Sequence, residues 1–244
     1  MSIEFRIVIP ARYAATRLPG KPLKRIHGKP VIQWVYEAAA QSRATEVIVA
    51  TDDQRIFDVV RQFGGQACMT ADHHQTGSDR ILEVVQSRQW HDHDIVVNLQ
   101  GDEPLMPAVN LTQVAENLES SKCDMATLHR LISRQAAHDH NQVKLVHDCH
   151  GQALYFSRSA IPFVRDNVRQ PYYGHIGLYA YRVGFLSQFN QLPDCELEKV
   201  EKLEQLRALW YGHRIHTELA KMSPGPGIDT EADFERVTRL LQGV

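Results

Sequence analysis

The sequence predicts an α/β fold built on a mostly parallel sheet, and three observations point that way. Short β-branched runs alternate with amphipathic stretches over residues 1–120, as consecutive βαβ units do. Charged, glycine-containing loops follow several of those runs directly, where open α/β sheets place their ligands. The 244 residues suffice for one large core, or for a main domain with a smaller lobe.

Residues 5–9, 46–50, 66–69 and 94–99 read as strands, and residues 31–41, 54–63 and 79–87 as helices. In the first helix Ile32, Val35, Tyr36 and Ala39 share one face. From residue 125 to 182 the pattern becomes alternating or aromatic, with runs at 125–131, 143–147, 152–156 and 172–181 and no long helix between them. That shift predicts an antiparallel extension. Leu197, Val200, Leu203, Leu206, Leu209 and Trp210 then mark an amphipathic helical region. A strand at 214–220, a Pro/Gly turn at 224–227 and a last helix from Glu231 complete the chain. There is no internal repeat, linker or low-complexity stretch.

Lys plus Arg total 27 against 29 Asp plus Glu, a formal charge of −2. A nucleic-acid partner is not expected, because no basic surplus exists to neutralise a phosphate backbone. Neither a signal-peptide pattern nor an apolar run of about 18 residues occurs, so a cytoplasmic protein without a membrane partner is expected. Cys68, Cys123, Cys149 and Cys195 lack C-x-x-C spacing and read as reduced thiols. The pairs His73-His74, His91-x-His93 and His138-x-His140 read as polar loop residues, not as a metal centre.

The first strand breaks at Pro10 into Ala11-Arg12-Tyr13-Ala14-Ala15-Thr16-Arg17-Leu18-Pro19-Gly20-Lys21. Pro and Gly shape this loop, and Arg12, Arg17 and Lys21 supply cations for phosphate oxygens. Neither G-x-G-x-x-G nor G-x-x-x-x-G-K-[ST] is present, which argues against a dehydrogenase or a P-loop NTPase. Asp102 follows the apolar run through Gln100 and Gly101, which places its carboxylate at the sheet's carboxyl edge. Asp229 follows Gly225-Pro226-Gly227-Ile228 and can approach the same place, although Asp229 or Thr230 also reads as a helix cap. Two carboxylates from distant segments suit Mg²⁺, which takes few protein oxygens. Ser78 reads equally as a cap and as a ligand group, and Arg80 as a ligand group or a partner of its own acidic neighbours. No Ser-His-Asp, Cys-His or G-x-S-x-G arrangement suggests a covalent intermediate.

The opening loop is accompanied, in order along the chain, by Ala50-Thr51-Asp52-Asp53, His74-Gln75-Thr76-Gly77-Ser78-Asp79-Arg80 and Val97-Asn98-Leu99-Gln100-Gly101-Asp102-Glu103-Pro104. Ala153-Leu154-Tyr155-Phe156-Ser157-Arg158, Ile161-Pro162 and Leu203-Glu204-Gln205-Leu206-Arg207 follow. Together they resemble the 3-deoxy-manno-octulosonate (Kdo) cytidylyltransferases over nearly the whole chain. The resemblance implies a Rossmann-like nucleotide-diphospho-sugar transferase sheet with helices on both faces and a smaller antiparallel extension. It implies one cytidylyltransferase domain, with residues 1–124 as the nucleotide half, 125–200 as the sugar-binding and dimerisation extension, and 201–244 returning with a metal ligand.

The activity so implied is transfer of CMP from CTP to Kdo for lipopolysaccharide biosynthesis, with Mg²⁺ as cofactor and a homodimer as assembly. The resemblance assigns catalysis to Arg12, Lys21 and Asp102, and the nucleotide to Ala11, Arg12, Arg17, Lys21, Thr76, Gly77, Ser78, Arg80 and Gln100. It assigns the sugar to Arg158, His175, Tyr179, Glu204 and Gln205, and the metal to Asp102 and Asp229. Three positions depart from the family pattern: Ala15 in place of Ser, His140 in place of Pro, and Gly174 in place of Arg or Lys. Loss of the cation at 174 makes another sugar acid, such as 8-amino-Kdo, the alternative acceptor. A non-catalytic nucleotide-binding protein is the alternative from another class.

Overall fold

The computed structural model describes residues 3–14, 17–166 and 171–242. Strand β1 (Phe5–Ala11) is apolar on both faces, as a central parallel strand must be. A 3₁₀ turn (Lys21–Leu23) and a short hairpin of β2 (Arg25–Ile26) and β3 (Lys29–Pro30) lead into α1 (Val31–Ala40). The βαβ alternation continues through β4 (Glu46–Thr51), α2 (Gln54–Gln62), β5 (Gln66–Met69), α3 (Gly77–Ser87), β6 (Ile95–Asn98) and α4 (Ala108–Ser121). Next come β7 (Met125–Ile132), the short α5 (Arg134–Ala137), β8 (Lys144–His147), β9 (Ala153–Ser157) and the long β10 (Tyr172–Arg182). Helices α6 (Val183–Phe189), α7 (Glu196–Glu201) and α8 (Gln205–Trp210), strand β11 (Ile215–Leu219) and α9 (Glu231–Leu240) end the chain.

Among the described residues the main sheet has nine strands, with the central order β11-β7-β10-β6-β1-β4-β5. β1 pairs in parallel with β4 and β6, β4 with β5, and β11 with β7. Strand β10 runs against both its neighbours. That inversion positions the site. Tyr179 lies opposite Asn98, the last residue of β6, so the part of β10 before Tyr179 overruns the carboxyl edge of the parallel strands. Successive residues of β1 feed two cores: Ile7 and Ile9 pack in the layer of α1, α2 and α4, while Val8 packs in the layer of α3, α6 and α8.

The structure differs from the sequence expectation in three places. β7 and β10 belong to the main sheet, and the smaller antiparallel extension is the β8–β9 pair attached to β10. The helical region at 197–210 is two helices, because Lys202 adopts a left-handed conformation (φ 53°). Helices α4, α5 and α6 and the β2–β3 hairpin have no counterpart among the expected elements. α4 buries Asn110, Thr112, Gln113 and Asn117 beside its apolar residues, which blurs its periodicity. Asn110 and Gln113 there grip the end of β11 and the segment after it: Asn110 donates to the Met222 carbonyl at 2.7 Å, and Gln113 donates to the Leu219 carbonyl at 2.9 Å.

Gly20 closes the phosphate-type loop. Its φ is +69°, its amide donates to the Tyr13 carbonyl at 2.9 Å, and a Cβ would sit 3.2 Å from the Tyr13 ring. Gly20→Ala is expected to cost about 1–2 kcal/mol in urea unfolding, since a side chain is strained in this region. An unchanged midpoint would show that the loop relaxes freely.

Candidate active site

Lys21 is the point where distant segments meet. Its ammonium donates to Asp102 Oδ2 at 2.6 Å and to the Ile228 carbonyl at 2.6 Å, and lies 3.6 Å from Asp229 Oδ1. The Ile228 amide donates to the Asp102 carbonyl at 2.9 Å, which fixes the two carboxylate loops side by side. Gly227 permits that approach: a Cβ there would stand 2.9 Å from Glu103 Oε1. Arg17 reaches Asp229 from the solvent side, 3.2 Å away. The cap of α9 is Thr230, with Asp233 completing a capping box, so Asp229 is not engaged as the cap.

Beside Lys21 lies a cavity of about 220 Å³ at the ends of β1 and β6. Ala11, Arg12, Lys21, Gly77, Gln100 and Asp102 all line it. Arg12 donates to the Thr76 carbonyl at 3.2 Å, and Gln100 donates to Asn98 Oδ1 at 3.1 Å. Burial and the neighbouring Arg80 lower Arg12 from its ordinary value, with Asp52 and Asp79 opposing. Arg17 faces an adjoining, larger cavity of about 680 Å³, together with Arg158, Asp229, Glu103 and Gln142.

Thr76, not Ser78, caps α3, and Asp79 returns the bond in a capping box. Ser78 is thereby released to point elsewhere. Its hydroxyl donates to Glu204 Oε1 at 2.5 Å and lies 2.8 Å from the Thr76 hydroxyl. Arg80 is wholly buried and pairs with Asp52 at 2.6 Å, with further donation to the Thr70 hydroxyl and, at 3.3 Å, to the Ala71 carbonyl. Its guanidinium is thus bonded to loop groups of the protein itself.

Strand β10 brings His175, in its overrunning part, together with Tyr179 at the sheet edge, ring centroids 5.3 Å apart. Burial pushes His175 down to about 3, so the imidazole is neutral; its Nε2 lies 3.1 Å from the Thr127 hydroxyl. Burial, with Tyr181 and Glu204 nearby, raises Tyr179 well above its usual value. Glu204, which starts α8, is raised by burial against the pull of Ser78 and Arg207. The buried Gln205 amide nitrogen has no protein partner. Arg158 donates to the carbonyls of Glu201 (2.7 Å) and His140 (3.0 Å), so the departure at 140 contributes its main chain. At Gly174 a Cβ would lie 2.7 Å from Ile132 and 3.0 Å from the Gln142 amide, so Gln142 occupies the space a longer residue would need. Ala15 lies outside the described residues.

Two residues at the candidate site were given no role by sequence reasoning although both stand within the motifs it singled out. Glu103 follows Asp102, and desolvation plus repulsion from Asp102 and Asp229 pushes its carboxyl up to about 8. Asp52 pairs with Arg80. The signal was adjacency to a carboxyl-end loop, which does not tell inward from outward side chains.

Asp102 and Asp229 fit a magnesium site. Both are hard oxygen donors gathered on one ammonium, and both retain solvent access beside the cavity. Among the described residues no group of three or more His, Cys, Asp or Glu forms a closed cage. Mg²⁺ needs no such cage, because substrate phosphates and water complete its shell. The cations and paired carboxylates suit displacement at phosphorus, where positioning and charge stabilisation do the catalysis. On this fold they define a nucleotidyltransferase.

The family described as Cytidylyltransferase matches residues 6–215. A 3-deoxy-manno-octulosonate cytidylyltransferase of Actinobacillus pleuropneumoniae serotype 7 (strain AP76) is 49% identical over 249 residues, covering 98% of this chain and 100% of that protein. One from Vibrio vulnificus (strain YJ016) is 51% identical over 247 residues, covering 98% of each. The solved structure of CMP:2-keto-3-deoxy-manno-octonic acid synthetase complexed with CTP superposes with a TM-score of 0.92 at 43% identity, again over 98% of each chain. The chain belongs to the 3-deoxy-manno-octulosonate cytidylyltransferase family.

The depressed His175 value sets an acid limit on stability. Its ordinary pKa is 6.5 and its folded value is about 3, so the unfolded chain takes up the proton first as pH falls. The stabilisation is complete above about pH 6.5 and declines below it, by at most about 2 kcal/mol between pH 7 and pH 5. Urea unfolding at both pH values, for the natural chain and for His175→Phe, should show a shallower pH dependence in the variant.

Proposed function

We propose that the protein transfers CMP from CTP to the anomeric 2-hydroxyl of Kdo, releasing pyrophosphate and CMP-Kdo for lipopolysaccharide biosynthesis. The observation that carries this reading is the convergence of Asp102, Asp229 and Lys21 between the smaller cavity and the larger one. CTP occupies the smaller cavity, with its triphosphate turned toward Arg12, Arg17 and Lys21. The sugar acid lies across the carboxyl edge, where Arg158, neutral His175, Tyr179, Glu204 and Gln205 offer hydrogen bonds to a carboxylate and hydroxyls.

The reaction is a direct displacement. The 2-hydroxyl oxygen bonds to the α-phosphorus, the bond from that phosphorus to the β-bridging oxygen breaks, and the hydroxyl proton leaves to solvent. Arg12 and Lys21 hold the triphosphate in line and meet the charge that grows on non-bridging and leaving oxygens. Mg²⁺ held by Asp102 and Asp229 would add Lewis-acid neutralisation of the same oxygens. Lys21 then exchanges part of its aspartate contact for phosphate.

Among the described residues no helix is long and apolar enough to cross a membrane, and a cytoplasmic site of action suits a CTP-dependent reaction. The homodimer is proposed through residues 125–200. Leu131, Leu154, Phe163 and Val200 are exposed there, and apolar groups of that size are suited to a protein contact.

Pyrophosphate release in the presence of Mg²⁺ is expected with CTP and Kdo, and not with UTP, ATP or GTP, or with N-acetylneuraminate. Asp102→Asn should lower the rate by about 10²-fold or more, as expected for loss of charge stabilisation at the reacting phosphorus. Equal turnover of other nucleotides, or a fully active Asp102→Asn variant, would contradict the assignment.

A further inference from the structure

The loop at residues 70–76, between β5 and α3, reaches the candidate nucleotide site only through its far end. There Thr76 caps α3 and its carbonyl accepts from Arg12. Two charged side chains of α3, three residues apart and so on one helix face, hold the near part of the loop. Glu83 Oε2 accepts from the Ala71 amide at 2.9 Å and pairs with His74 Nε2. Arg80 donates to the Ala71 carbonyl at 3.3 Å and to the Thr70 hydroxyl, and is itself anchored on Asp52 at the end of β4. Both backbone polar groups of Ala71 are therefore taken by side chains of the helix that the loop leads into.

The loop has little apolar support of its own. Ala71, His73, His74 and Gln75 border an open cavity of about 520 Å³, which Glu83 and Asn190 also line. A segment of backbone beside such a space keeps its place through its polar ties. Burial pushes the Glu83 carboxyl up, but the bonds from His74 and Ala71 outweigh it and hold Glu83 below its usual range. The carboxylate is the form that accepts both bonds. Ser78, the link to Glu204 and the acceptor half, lies on α3 itself and does not depend on this clamp.

We infer that Glu83 is a positioning residue for the nucleotide: through Ala71 and His74 it holds the near part of the 70–76 loop, while Asp79, which accepts from the Gln75 and Thr76 amides, holds the far part where the Thr76 carbonyl meets Arg12. The inference rests on the proposed CTP-dependent transfer. It adds that the clamp acts on the nucleotide half alone.

Glu83→Ala should raise KM for CTP by about tenfold, the effect of losing one charge-assisted tie, while kcat and KM for the sugar acid stay within about twofold. Amide exchange at residues 71–76 should accelerate in the same variant. Glu83→Gln keeps a carbonyl oxygen for the Ala71 amide and should recover most of the CTP affinity. Unchanged CTP affinity and unchanged exchange protection in Glu83→Ala would overturn the inference. So would a parallel loss in kcat and both KM values with a lowered Tm, which marks a general structural role. If the natural chain released no pyrophosphate with any acceptor, the transfer reading would fail. Calorimetric CTP binding would then decide the clamp, with equal affinities for the natural chain and Glu83→Ala overturning it.

Discussion

The contact of Lys21 with Asp102, Asp229 and the Ile228 carbonyl is the constraint on which the rest of the site depends. A lysine ammonium this deeply placed is costly unless oxygens replace its water, and here they come from loops 81 and 207 residues away in sequence. The same contact closes the first loop onto the sheet, aligns the two carboxylates and leaves the cavity between Ala11 and Gln100 open. Removing Lys21 takes the shared cation from both carboxylates, so fold and chemistry share one interaction.

The inverted strand β10 is the second constraint. Parallel strands alone end at one edge and offer only loops there. An antiparallel strand passing that edge adds rigid side chains, and His175 and Tyr179 are fixed in this way. The irregularity between Ile176 and Tyr179 is filled by Thr127, whose hydroxyl reaches the Ile176 and Leu178 carbonyls and His175. In the proposed function, two halves assembled by different strand directions let one edge take both a nucleotide and a sugar acid.

Much of this was legible in the chain. Continuous apolar runs expose β1 and β4, which are buried on both faces, and helical periodicity exposes α1 and α2, which each turn an apolar face to the core. The cations of the first loop and Asp102 were legible because each follows a buried strand directly. Helix α4 was not, because Asn110 and Gln113 are buried to bond the 219–222 segment, a contact that no local pattern encodes. The break at Lys202 was hidden by leucine spacing that continues across it. Arg80 shows the limit most clearly. Its position predicts a cation near the nucleotide loop, but only the fold shows its guanidinium turned onto Asp52, Thr70 and Ala71.

The most direct test of the central claim is a double-mutant cycle on kcat/KM for pyrophosphate release, using Lys21→Met, Asp102→Asn and the pair. If the two residues act as one unit, each single change costs about 10²-fold or more and the double variant stays within about threefold of the worse single one. Losses that multiply would show that Lys21 and Asp102 act independently, and would contradict the account.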